Sequence, residues 1–314
     1  METLTTKVNW VLNDYCKAQC TYCRTHISGG GLPQETKDYI RVANSIIDSY
    51  KAVGREIEWT FTGGEPLDMN DIVVLLKLCR TNGRSMTLNT NGGKLWIDWW
   101  AIEPYVDVLN LTFHYWQQPA LMKYIIDTFR KKNKPLNIVA PIRHDHFKED
   151  LNRVLALEDT ADILILKTIL YREADQMIGM FNYSLDDLCT LDLYNQPKAE
   201  RERIIEENKL RNEAGLLSPS AEEKVYIEDT TWDDRYKDQH NSNPSYSGQM
   251  CNASVEFLHI GAQGWATGSL CGNRSLGNVW KEGWQPSIFS QQCTMLSCIH
   301  ESDQQITKFS LPDQ

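Results

Sequence analysis

No stretch of this 314-residue chain is long and apolar enough to span a bilayer, and its N-terminus lacks the basic segment followed by an apolar one that directs secretion. Both absences point to a soluble, cytoplasmic protein with no membrane partner. Positive charge is also in short supply: 32 Lys and Arg stand against 42 Asp and Glu, a formal net charge of −10. That balance disfavours a broad electrostatic grip on nucleic acid. The one basic cluster, Arg130, Lys131, Lys132 and Lys134, reads as the solvated end of a helix. No repeat of solenoid length is present. What the chain does have is a composition 41% hydrophobic, enough for a substantial core, and nine cysteines. Without a secretion signal, that many cysteines argue for reduced, metal-bound thiols instead of a disulfide framework.

Strand and helix patterns alternate from the start. Strand patterns cover Val8 to Leu12, Ile57 to Phe61, Ser85 to Asn89, Val108 to Phe113, Leu136 to Ile142 and Ile163 to Leu166. Helical patterns fall between them at Gln34 to Val53, Asn70 to Cys79, Trp96 to Ile102, Gln117 to Lys131 and Glu149 to Leu157. Strand-then-helix units running in one direction imply an α/β fold with a parallel sheet, right-handed crossovers and a site at the C-terminal edge of the strands. The first strand pattern begins almost at the N-terminus, leaving no room ahead of it for a recognition domain. The expected division is a first domain over 1–180, a helical and polar linker over 181–250 that includes the solvated helix Lys198 to Asn212 and the polar stretch Ser218 to Gly248, and a cysteine-rich module over 251–314.

Two motifs sit at strand ends. Cys16, Cys20 and Cys23 form a CxxxCxxC loop after the first strand, with Tyr22 just before the last cysteine. Closely spaced thiolates on one loop suit an iron–sulfur cluster, and three of them leave one iron of a cubane open. A structural zinc site would need a fourth ligand, and only His26 lies near, in the glycine-rich stretch that includes Ser28 to Gly31. About forty residues further on, the second strand ends in Gly63, Gly64, Glu65 and Pro66. Glycines allow close approach of backbone to a ligand, and a carboxylate can receive an ammonium group.

Together these motifs resemble the radical S-adenosylmethionine (radical SAM) superfamily. The resemblance covers about residues 5 to 180 and implies a partial (β/α)6, TIM-like barrel. It implies that Cys16, Cys20 and Cys23 ligate a reducible [4Fe–4S] cluster whose open iron holds SAM, and makes them the catalytic centre. Tyr22 would lie beside the adenine, and Gly63, Gly64, Glu65 and Pro66 would border the methionine amino group. Asn89, Asn91, Thr112, His114 and Arg143 occupy strand ends where the family places contacts to SAM and substrate. His114 reads equally as a capped rim histidine, and the guanidinium of Arg143 suits a carboxylate such as that of SAM.

Cys251, Cys271, Cys293 and Cys298 lie in the last quarter of the chain around a hairpin pattern from Phe257 to Cys271. They resemble the shortened auxiliary-cluster module, Twitch or SPASM-like, of several radical SAM enzymes, which implies a second, auxiliary [4Fe–4S] cluster. Four thiolates satisfy zinc equally well, so ligand count leaves both open. Cys79 and Cys189 stand alone in helical contexts and read as inert core thiols. The function implied is oxidoreductase-type radical chemistry: reductive cleavage of SAM to a 5′-deoxyadenosyl radical that abstracts hydrogen from a peptide or amino-acid-like substrate, with flavodoxin or ferredoxin as electron donor. The same chemistry on a small alcohol, sugar, nucleotide or nucleobase is the alternative. A noncatalytic iron–sulfur or zinc protein is the alternative of another class.

Overall fold

The computed structural model describes residues 4–20, 22–23, 34–93, 98–169, 171–173, 176–178, 183–213, 246–271, 275–293, 298 and 301–310. Its framework is β1 (Thr5–Val11), α1 (Thr36–Ala52), β2 (Glu56–Thr62), α2 (Ile72–Thr81), β3 (Ser85–Thr90), α3 (Trp99–Ile102), β4 (Val108–Thr112), α4 (Pro119–Arg130), β5 (Leu136–Ile142), α5 (Phe147–Leu155) and β6 (Ile163–Thr168). These six strands pair in sequence order and all in parallel. The expected α/β partial barrel is therefore present. The small strands β7 (Tyr171–Glu173) and β8 (Gln176–Ile178) then form a hairpin, followed by α6 (Leu185–Tyr194) and α7 (Lys198–Glu213).

Alternation along each strand decides which face carries helices. In β1, Val8 and Trp10 are buried while Lys7, Asn9 and Val11 point the other way, and β2, β3, β4 and β5 repeat the pattern. The buried set joins Tyr39, Val42, Ile46 and Tyr50 of α1 and Leu75 and Leu76 of α2 in one core. Trp10 and Trp59 are large contributors: each such ring removes roughly 150–250 Å² from water, worth about 4–6 kcal/mol before entropy. Their indole N–H groups have no acceptor among the described residues. Leaving such a donor dry costs about 1–3 kcal/mol, so packing still wins. The opposite, helix-free face is polar. Asn137 Nδ2 donates to Asn110 Oδ1 at 2.8 Å, and Asn110 Nδ2 to Asn89 Oδ1 at 2.6 Å, an amide ladder across three neighbouring strands.

The C-terminal region does not stand apart from this sheet. After β9 (Met250–Cys251) and the short α8 (Ala253–Glu256), β10 (Phe257–Ile260) pairs in parallel with β1, and β11 (Trp265–Thr267) and β12 (Ser275–Asn278) extend the sheet antiparallel to nine strands. Thr6 Oγ1 donates to Val255 O at 2.7 Å, Tyr50 OH to Ser254 O at 2.8 Å, and the Arg41 guanidinium to carbonyls of Val279, Trp280 and Lys281. Trp280 packs edge-on against Tyr39 at 5.2 Å. Beyond β12 come β13 (Gln291–Gln292), α9 (Glu301–Gln304) and β14 (Lys308–Phe309), with β13 and β14 flanking β9 in a second small sheet.

Several sequence expectations need adjusting. The helix expected from Trp96 begins at Trp99, and Trp96, like Ser28 to Gly31, His26 and most of the polar stretch with Trp232 and Tyr236, lies outside the described residues. α2 starts two residues late because Asp71 takes a left-handed conformation, φ 52°, ahead of it. Cys79 is buried as expected, but Cys189 is exposed on α6, whose neighbour Leu191 is the residue turned inward. The basic cluster is only partly solvated: Lys134 Nζ is held by Glu103 at 2.8 Å, Arg130 by Asp162 at 2.9 Å, and Lys131 lies 5.5 Å over the Trp100 ring.

Candidate active site

The β1–β2 pairing continues beyond the strands and fixes the cysteine loop. Leu12 N donates to Thr62 O at 2.8 Å, Gly64 N to Asn13 O at 2.8 Å and Glu65 N to Tyr15 O at 2.9 Å. This approach is what the glycines permit: a Cβ on Gly64 would sit 2.2 Å from the Tyr15 carbonyl oxygen, and one on Gly63 would sit 2.8 Å from that of Asn13. Asn13 bridges the same two segments, donating to Glu65 O at 3.2 Å and accepting from Tyr15 N at 3.0 Å.

Glu65 is 1% exposed, and its carboxylate is taken up inside the protein. One oxygen accepts from Leu67 N at 2.9 Å and Thr90 Oγ1 at 2.6 Å, the other from Asn91 N at 2.8 Å. Burial pushes its pKa up to about 7 against the pull of those three donors. The side chain expected to border a ligand ammonium thus ties the ends of β2 and β3 together. Pro66, also buried, opens the short 3-10 turn Pro66–Asp68, whose Asp68 accepts from Lys17 N at 2.9 Å.

The three loop thiols are neighbours. Cys20 and Cys23 share a hydrogen bond, and Cys16 lies within electrostatic range of both. The Cys23 bond holds the Cys20 thiol down, at about 6, and pushes Cys23 up, while burial raises Cys16. Two side-chain N–H groups aim at sulfur: Trp116 Nε1 at Cys20 Sγ, 3.3 Å, and Asn91 Nδ2 at Cys16 Sγ, 3.5 Å. Asn91 was expected from its strand end. Nothing in the motifs singles out Trp116, and its place three residues after Phe113, beyond the end of an apolar strand pattern, is the signal that points to it.

His114 is 7% exposed, stacks on Trp116 at 5.3 Å and meets Tyr22 OH through Nδ1 at 2.6 Å. Burial pulls its pKa down to about 4, so the ring is neutral. Burial and the bond to Cys20 hold the Tyr22 phenol well above its ordinary value. Gln117 accepts from His114 N at 2.6 Å and donates to Asn91 O, joining the loops after β3 and β4. A cavity of about 210 Å³ opens beside these thiols, lined by Ala18, Asp68, Asn91, Gly93 and Trp116 among others. Asn89 is engaged in the amide ladder, and Thr112 closes β4 half-buried. Arg143 finds its carboxylate within the chain: it grips Asp150 with two bonds of 2.8 Å and lies 3.8 Å over the Tyr115 ring. That internal pairing supplies the partner that had been expected from a ligand.

The C-terminal thiols are gathered from three segments, Cys293 and Cys298 lying five residues apart. Cys251 lies within electrostatic range of Cys293 and Cys298, and Cys298 of Cys271 and Cys293. Burial pushes Cys251 up to about 11 and also raises Cys298. The buried Asp303 fixes Cys271 by accepting from Leu270 N at 2.9 Å and Cys271 N at 2.6 Å. Lys308 stands opposite Cys251 in register and bonds Cys298, the carbonyl of Ile306 at 2.8 Å and that of Asp303. Among the described residues, no three His, Cys, Asp or Glu side chains close as a ligand cage around one metal position.

Comparison with known proteins adds the family. None of the curated proteins compared matches the chain. The Radical SAM superfamily profile matches residues 10–133, the stretch from β1 through α4 that carries both motifs. Among solved structures, Streptococcus suis SuiB aligns over 90% of this chain and 65% of its own, at 15% identity and a TM-score of 0.50. SuiB bound to its precursor peptide SuiA aligns over 89% and 63%, at 16% identity and the same TM-score of 0.50. The chain thus spans less than two thirds of the SuiB length, and at this identity the likeness speaks for the fold. Motif spacing, parallel barrel and profile match converge: this chain carries a Radical SAM superfamily domain over residues 10–133.

Proposed function

We propose that the chain is a radical SAM enzyme acting on a peptide or amino-acid-like substrate. The observation that carries this is the thiol loop of Cys16, Cys20 and Cys23 clamped against Gly63 and Gly64 at the C-terminal edge of a parallel barrel. The donor set fits a [4Fe–4S] cluster: three sulfurs on one loop, two of them already receiving N–H bonds of the kind that tune cluster sulfurs. Bound there, a reduced cluster would supply the electron that cleaves SAM to methionine and a 5′-deoxyadenosyl radical, which takes hydrogen from the substrate. The protein's own part is to hold and shield. Glu65 ties the glycine turn to the end of β3, neutral His114 and Trp116 wall the thiols, and the polar helix-free face offers amides to a substrate.

Cys251, Cys271, Cys293 and Cys298 would hold an auxiliary [4Fe–4S] cluster or a zinc ion, and a flavodoxin or ferredoxin would deliver the electron. The peptide reading is supported by the fold shared with SuiB, one structure of which is bound to its precursor peptide. Anaerobic reconstitution with iron and sulfide, a count of Fe and Zn, and an assay for 5′-deoxyadenosine test the proposal. About eight irons with 5′-deoxyadenosine formed is the expected result. About four irons and one zinc would move the C-terminal site to a structural role. Absence of SAM cleavage under any strong reductant would overturn the enzyme reading.

A further inference from the structure

A cavity of about 460 Å³ lies between the Gly63 turn and the hairpin turn joining β10 to β11, with Asp14, Thr62, Gly63, His259, Gln263 and Trp265 in its wall. It falls within the roughly 300–1,000 Å³ typical of small-ligand sites. We propose that this cavity binds the cationic, hydrogen-bond-donating end of the substrate, the ammonium of a lysine side chain or of a peptide N-terminus. The inference deepens the peptide reading above and rests on it.

Charge comes first. Asp14 is the one formally charged side chain in the wall, with no Lys or Arg to balance it, and it forms no ion pair among the described residues. A phosphate or carboxylate would meet only repulsion there, whereas an ammonium would gain a partner. An unmet bonding group agrees. His259, in the wall, keeps its Nδ1 buried without a hydrogen bond among the described residues. In the neutral tautomer protonated at Nε2 that nitrogen accepts, so what completes it there donates. Trp265 adds an aromatic face: it is 55% exposed at the rim, an arrangement that costs hydration but offers a cation–π contact. The similarly sized cavity at the opposite end of the barrel differs in kind. Its wall mixes Lys7, Arg55, Glu58, Arg84 and Glu256, with Arg84 3.8 Å from Glu58 and Lys7 bonded to Gln305, three cations against two carboxylates, so it lacks the unbalanced negative charge of the first cavity.

Three blocked pentapeptides, glycines flanking a central lysine, norleucine or glutamate, serve as probes. Binding is measured by anaerobic equilibrium dialysis to the reconstituted full chain with saturating SAM. The lysine peptide should bind at least tenfold more tightly than the norleucine peptide, and the glutamate peptide most weakly. Asp14→Asn, nearly isosteric, should erase that preference, and Trp265→Ala should reduce it several-fold. Equal binding of the three peptides, no binding of any, or a lysine preference that survives Asp14→Asn would overturn the proposal. Displacement of SAM by the lysine peptide would also overturn it, by assigning the cavity to the ammonium of SAM itself. Cleavage of SAM without peptide is measured in the same samples, so failure of the radical SAM reading shows separately.

Discussion

Cys16, Cys20 and Cys23 come from one continuous loop pinned by backbone bonds to the next strand, whereas Cys251, Cys271 and the close pair Cys293 and Cys298 come from three segments that only tertiary structure brings together. Their partners differ as well. The first set receives neutral N–H groups from Asn91 and Trp116, while the second faces the ammonium of Lys308. Net charge and hydrogen bonds to sulfur are the levers by which a protein sets a cluster's potential. If both sets held clusters, these differences would suit the two to different tasks. Holding a cluster, a three-thiol loop would leave one iron open to a ligand, and a four-thiol set would close its cluster, which the Lys308 ammonium would make easier to reduce.

The strongest way to break this comparison is to delete thiols. Cys20→Ser should lower SAM cleavage to background and remove about four of the eight irons. Cys298→Ser should lower the iron count by a similar amount yet leave uncoupled SAM cleavage measurable. Equal loss of cleavage in both variants would mean that the sites act as one.

Next in size is Glu65, whose burial serves the first site alone. Glu65→Ala strands Leu67 N, Thr90 Oγ1 and Asn91 N in a buried space. At about 1–3 kcal/mol per lost partner, partly relieved by water, a loss of about 3–5 kcal/mol is expected in anaerobic urea unfolding. Glu65→Gln should cost less but not nothing, because the amide nitrogen must face an N–H or O–H donor whichever way it turns. A neutral result for both would show that this carboxylate does not brace the ends of β2 and β3.

Lys308 sharpens the comparison from the other side. A unit charge acting over several ångströms at an effective dielectric of about 20 is worth about 2 kcal/mol, on the order of 0.1 V for one electron. Lys308→Met should shift the C-terminal centre to more negative potential in an EPR-monitored titration, leave the N-terminal centre unmoved, and be reversed by Lys308→Arg. Zinc in that site would abolish the signal altogether and with it the redox contrast.

Titration separates His114 from Glu65. His114 falls from an ordinary value near 6.5 to about 4 in the fold, so the unfolded chain binds its proton first and stability is lost as pH drops through that window. Glu65 rises from 4.5 to about 7, so its effect has the opposite sign, stability falling as pH rises through that range. The two windows overlap, and the native profile should be flatter than either variant's. Urea unfolding of the apoprotein between pH 4 and 8 should show His114→Gln losing stability toward pH 7 and Glu65→Gln losing it toward pH 4. Parallel profiles in all three proteins would refute the assignment.

How much of this was legible in the sequence follows from the range of each interaction. Strand β5 spans Leu136–Ile142, residue for residue as its alternating pattern implies, because that pattern is local. Both motifs fall at the C-terminal strand edge for the same reason. The parallel pairing of β10 with β1 joins residues about 250 apart and leaves no trace in either segment's periodicity. Arg143 carried a signal for a carboxylate, but no spacing rule says whether it belongs to a ligand or, as here, to Asp150 on the following helix. Cys189 read as a core thiol because α6 has only a weak apolar stripe, and the side of a helix that packs is undetermined when both sides would serve.

The smallest expected effect is also the most specific to the contrast between neutral and charged partners. Trp116 is 40% exposed and stacks on His114, so Trp116→Phe keeps most of the ring contact and removes the indole N–H aimed at Cys20 Sγ. A single neutral hydrogen bond is worth about 0.5–1.5 kcal/mol net, which in potential is at most tens of millivolts. The N-terminal centre should therefore move slightly negative, by less than Lys308→Met moves the C-terminal one. If Trp116→Phe shifts its cluster as far as the lysine variant shifts the other, the distinction between neutral and cationic tuning fails, and hydrogen bonding to sulfur alone governs both sites.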